Sequence, residues 1–91
     1  MAIGTLQTIE GKPDITYPVR WVFKLMGRSE EAMRDAVAEV CVGREVTLSR
    51  GNTSRTGKFC TLNLELLIVS DEERLYLYEA LGRHEAVSMI L

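Results

Sequence analysis

The longest regular pattern in the chain runs from Lys58 to Ser70, KFCTLNLELLIVS. From Cys60 onward every second residue is apolar (Cys60, Leu62, Leu64, Leu66, Ile68), with Phe59, Thr61, Asn63 and Glu65 between. A period of two places one set of side chains in a core and the other in water, so the spacing predicts a strand. Nothing within it interrupts pairing, which predicts a central position. Ser70-Asp-Glu-Glu73 follows as a capping box and predicts a helix over Asp71–Leu81, with Leu77, Tyr78 and Leu81 inward and Gly82 as its stop. Upstream, Tyr17 to Met26 alternates. Tyr17, Val19, Trp21, Phe23 and Leu25 share one face, and Arg20, Val22 and Lys24 the other. Pro18 is tolerated at the start of this first strand. Ser29 is a good N-cap with Glu30 and Glu31 in the first turn, and Met33, Ala36, Val37, Val40 and Cys41 form one apolar helical stripe. Gly43 marks its end. Val46 and Leu48 define a short strand over Arg44–Ser49, and Val87, Met89 and Leu91 a last one.

The order is βαββαβ. Right-handed crossovers place both helices on one face of the sheet. The fold class that follows is α+β: a ferredoxin-like split βαβ with a four-stranded antiparallel sheet. The domain spans residues 17–91, preceded by a flexible tail over residues 1–16, and Arg50–Gly57 is a polar loop. The expected core is Trp21, Phe23, Leu25, Met33, Val37, Val40, Val46, Leu48, Leu62, Leu64, Leu66, Leu77, Tyr78, Leu81, Val87 and Met89.

Composition narrows the function more than the fold. The 91 residues suit one domain, and 46% hydrophobic with 26% charged residues is ordinary for a globular chain. A net charge of −2 argues against a nucleic-acid coat. No apolar run reaches the ~18 residues of a membrane span, and the N-terminus lacks the pattern of a secretory signal. Cys41 and Cys60, the two cysteines, fall on core faces and are expected as reduced thiols in the cytoplasm.

Trp21-Val-Phe-Lys-Leu-Met-Gly27, Leu77-Tyr-Glu-Ala-Leu-Gly82 and Val87-Ser-Met-Ile-Leu91 resemble the YbeD-like family of small uncharacterised bacterial proteins, over residues 17–91. Lys24-Leu-Met-Gly27 followed by a capped helix is the strongest match. The resemblance implies a ferredoxin-like fold similar to the ACT regulatory domains, a regulatory or binding role and a cytoplasmic location. It implies no catalytic residue.

The candidate chemistry is sparse. His84, the single histidine, stands just past a helix end with no partner close in sequence, and reads as a solvated polar residue. No cysteine spacing suits a metal, and no cofactor is expected. The leading site is the turn Gly27-Arg28-Ser29. A glycine there lets the backbone approach a ligand, helix N-terminal amides attract anions, and Arg28 offers a fork to a carboxylate. The resemblance points to the same turn, because ACT-like domains place small ligands near it. The alternative is single-stranded RNA on the sheet's open face, with Arg20, Lys24, Arg50, Arg55, Lys58 and Phe59 as the patch. Stacking on aromatics of central strands is the physical basis, although Thr61 and Val22 occupy the stacking positions. An acylphosphatase-like reading, with Arg28 and Asn63 as anion clamp and water orienter, lacks the glycine-spaced loop. The expected partner is a small molecule or a protein, with the chain a monomer or weak homodimer.

Overall fold

The computed structural model describes residues 15–52 and 57–91. Its elements run β1 (Val19–Gly27), α1 (Glu30–Val40), β2 (Val46–Arg50), β3 (Cys60–Ile68), α2 (Asp71–Arg83) and β4 (Met89–Ile90). The sheet order is β2-β3-β1-β4. β3 is central, as its uninterrupted alternation predicts. It pairs antiparallel with β1 over nine residues, from Val19↔Ile68 to Gly27↔Cys60. Its other edge carries β2, from Val46↔Leu66 to Arg50↔Leu62. β4 meets β1 at Leu25↔Ile90 and Met26↔Met89. All pairs are antiparallel, and the arrangement is the ferredoxin-like α+β fold expected.

This register puts Phe23, Leu25, Leu62, Leu64, Leu66 and Ile68 on one face. They pack with Met33, Ala36, Val37 and Cys41 from the first helix and its cap, and with Leu77 and Leu81 from α2. No polar or charged residue is buried among the described residues. Both helices begin where their caps predict. The Ser29 hydroxyl accepts from Ala32 N–H at 3.0 Å and the Ser70 hydroxyl from Glu73 N–H at 3.1 Å.

Several sequence expectations about the core and the element ends need correction. Tyr78 is exposed, because one step around a helix is about 100° and carries it from the Leu77–Leu81 stripe to the flank. Gly82 does not stop α2, which runs on to Arg83. There a Cβ would lie 3.2 Å from Ile90 Cγ2, so the glycine serves close packing of α2 on β4. Met89 is 53% exposed and Ile90 packs on the core instead. Val87 is buried within a turn before β4 begins, so counting by twos from it lands on the wrong face. Val40, Val46 and Leu48 are half-buried rather than fully covered, and so is Trp21. The Arg74 guanidinium lies 5.1 Å from its ring, and Arg74 also donates to the Tyr17 hydroxyl at 3.2 Å. The expected tail falls almost wholly on residues 1–14, outside the described residues, as do positions 53–56 of the polar loop.

Candidate functional site at the start of helix α1

The chain passes from β1 to α1 through Arg28 and Ser29 alone. Ser29 is extended at φ −128°, ψ 119°, so its hydroxyl turns back onto the first helical turn. Gly27 is buried before it. A Cβ on Gly27 would sit 2.4 Å from the Ala86 carbonyl oxygen and 2.9 Å from Met33 Sδ. The glycine therefore admits the α2–β4 turn rather than a ligand, and by doing so it builds a cleft. One wall is Arg28, Ser29, Ala32 and Asp35, and the other is His84, Glu85, Ala86 and Ser88, enclosing about 580 Å³.

The second wall is held by backbone and by one imidazole. Ser88 N–H donates to the Met26 carbonyl at 2.7 Å and Val87 N–H to the His84 carbonyl at 3.0 Å. His84 Nδ1 accepts from Ala86 N–H at 3.1 Å, while Nε2 lies 3.0 Å from Glu39 Oε1 on α1. A nitrogen that accepts an amide proton carries none itself, so the ring proton is on Nε2, aimed at Glu39. His84 is thus partnered on both sides. Its partner Glu39 is 45 positions away in sequence, which is why reading along the chain misses it.

The lining carries both signs of charge. Arg28 stands at the α1 start, its guanidinium 5.7 Å from the Phe59 ring centroid, with the Asp35 and Glu85 carboxylates in the same cleft. Glu30, in the first turn, is held below the usual carboxylate range by its hydrogen bond from Arg34, with help from Arg50. Burial pushes the Cys41 thiol up; Cys41 and Cys60 are both free, and Cys60 Sγ lies 3.5 Å from the Gly27 carbonyl oxygen.

The residues of the alternative patch are dispersed. Arg20 and Lys24 lie on the open face, where Arg20 pairs with Glu65 at 2.8 Å. Arg50, opposite Leu62, belongs to the helix side and bonds Glu30 at 2.9 Å. Phe59 is half-buried under Arg28, Lys58 is exposed, and Arg55 lies outside the described residues. The open-face positions of the four strands carry no aromatic side chain among the described residues. A second hollow of about 450 Å³ on that face is lined by Lys24, Met26, Gly51, Asn52, Thr61, Asn63 and Leu91. Among the described residues no group of three His, Cys, Asp or Glu is placed to hold a metal, and no helix is long and apolar enough to cross a membrane.

Comparison with known proteins follows the same lines. Residues 12–91 match the family described as "Protein of unknown function (DUF493)". The chain belongs to this family. It is the YbeD-like family that the strand and helix motifs resemble. No curated protein matches the chain. Two solution structures of protein HP0495 from Helicobacter pylori share the fold. One is 22% identical with a TM-score of 0.74 over 88% of each chain. The other is 22% identical with a TM-score of 0.63, covering 89% of this chain and 94% of that one.

Proposed function

We propose that this DUF493 chain is a non-catalytic regulatory module, resembling ACT domains, that takes a small ligand in the cleft between Arg28–Ser29 and the His84–Ser88 turn. The observation that carries the reading is the lining: Arg28, the α1 N-terminus and Asp35 on one wall face Glu85 on the other across about 580 Å³. An anion alone would meet repulsion from the two carboxylates. A small molecule bearing both an acid and a cationic group satisfies both walls. Its carboxylate would draw on Arg28 and the first-turn amides, and its cation on Asp35 or Glu85. Both His84 nitrogens are engaged, which leaves the imidazole in a structural role rather than that of a free base. The ligand would bridge the two βα halves, and the bound state would be reported to a protein partner in the cytoplasm.

The test is a panel of small zwitterions and monocarboxylates, read by thermal stabilisation, which grows as RT ln(1 + [L]/Kd). Amide shifts should map to Gly27–Ala32 and His84–Ser88. Arg28→Ala should weaken binding by about tenfold or more with folding unchanged, since one charged hydrogen bond is worth about 1.5–3 kcal/mol. An unchanged affinity in Arg28→Ala removes the cleft from consideration. Single-stranded RNA gains little support from an open face without aromatics. Its signature would be affinity falling linearly in log salt, with shifts confined to Arg20, Lys24, Thr61 and Lys58.

A further inference from the structure

We propose that His84 makes the cleft proton-sensitive: the neutral imidazole latches the second wall by accepting Ala86 N–H, and the protonated ring releases it. The consequence for ligand binding rests on the cleft being the ligand site, whereas the latch belongs to the ligand-free protein.

The argument is one of donors and acceptors. Neutral His84 has one of each, and both are used: Nδ1 accepts from Ala86 N–H at 3.1 Å, and Nε2–H points to Glu39 at 3.0 Å. An imidazolium has two donors and no acceptor. Protonation therefore sets an N–H of the ring against the N–H of Ala86, and the two must part. The Glu39 contact survives and gains charge, but Glu39 is 71% exposed, so solvent screens most of that gain. The ring is thus held toward α1 while the turn is pushed away from it.

The place of the turn makes this consequential. Ala86 carries the carbonyl that occupies the space left by the missing Cβ of Gly27, one residue before Arg28. The same turn supplies Glu85 and Ser88 to the cleft. Freeing Ala86 N–H loosens that wall at the point where it bears on the β1–α1 turn. The charged groups facing His84 are few. Glu39 comes from α1, Arg83 and Glu85 flank it, and Asp35 and Arg28 stand across the cleft. Arg83 is directed to Glu79 at 4.0 Å. The latch is closed while the ring is neutral and open once it is protonated. Ligand affinity should fall in the same direction.

The experiment is NMR of the ligand-free chain from pH 8 to pH 5, following the His84 ring nitrogens and the Ala86 amide. At pH 8 the ring should be the Nε2–H tautomer. As it charges, the exchange protection of Ala86, corrected for intrinsic rate, should fall by about tenfold or more, the loss of one hydrogen bond. The Gly27 and Arg28 amide shifts should move with the same midpoint. His84→Asn offers a neutral oxygen near the Nδ1 position and should abolish the transition. Glu39→Gln should retain it, which keeps the test decisive if His84→Asn fails to fold. The latch is overturned by an Nδ1–H tautomer at pH 8, by unchanged Ala86 protection as His84 charges, or by an identical transition in His84→Asn. A confirmed latch in a chain that binds none of the zwitterions would sink the ligand site and leave the latch standing.

Discussion

At Gly27 the smallest side chain decides where two segments meet. The Cβ that alanine would add falls 2.4 Å from a backbone carbonyl oxygen, so the Ala86 turn or the end of β1 must move. Met33 Sδ, 2.9 Å away, belongs to a fully buried side chain with little room to yield. Gly27→Ala should therefore cost about 1–3 kcal/mol, the usual penalty for overpacking, and should shift the Ser88 and Ala86 amides. Urea denaturation measures the first and an amide spectrum the second. A variant as stable as the parent would show that this carbonyl is not packed as described. Gly43 answers to a different constraint. Its φ of +81° with open space around it is a demand on the backbone, and any Cβ there meets strain rather than a neighbour.

At the scale of elements, the start of α2 shows how much a local motif can specify. Ser70 caps Glu73 N–H, and Glu73 Oε1 accepts from Val69 N–H at 2.8 Å while Arg44 bonds the same carboxylate. The Val69 N–H, followed by the Arg44 guanidinium, holds the Glu73 carboxyl below the usual carboxylate range. A carboxylate favoured in the folded state stabilises above its unfolded pKa, and that stabilisation is lost as pH falls through the lowered folded value. Glu73→Gln should cost about 1 kcal/mol at pH 7, the scale of a helix cap, and the difference from the parent should shrink in acid below the ordinary carboxylate range. Urea melts at pH 7 and pH 3 test this, and a difference that grows in acid would reverse the sign. Such caps, and the long alternations of β1 and β3, are legible because their causes are local. β4 is not, since a two-residue strand takes its face from Leu25↔Ile90 rather than from its own spacing. The candidate site divides the same way. Ser29 and the break at Gly27 can be read along the chain. The wall carrying His84 and Ala86, and the Glu39 partner, exist only once the two halves pack together.

For the whole molecule, the sheet order predicts how stability is distributed. β3 is bonded along both edges, to β1 over nine residues and to β2 over five, and Leu62, Leu64 and Leu66 beneath it are almost wholly excluded from water. Truncating the middle of these, Leu64→Ala, removes buried volume where no side chain can readily collapse and should cost about 2–5 kcal/mol. β4 has two residues and one neighbour, and its opening breaks only a few bonds to Lys24 and Met26. Local opening free energies follow such differences in bonding and burial. Amides of Leu62–Leu66 should therefore exchange only by global unfolding, with a denaturant dependence equal to that of the whole protein. Those bonded between β4 and β1, including Lys24 and Leu91, should exchange through a smaller opening with a weak denaturant dependence. The His84 latch lies just before β4, so acid should lower the protection of these edge amides while leaving β3 unchanged. Equal protection of β4 and β3 at every pH would mean that the sheet opens as one unit, and that the turn at Ala86 is no weaker than the centre of the fold.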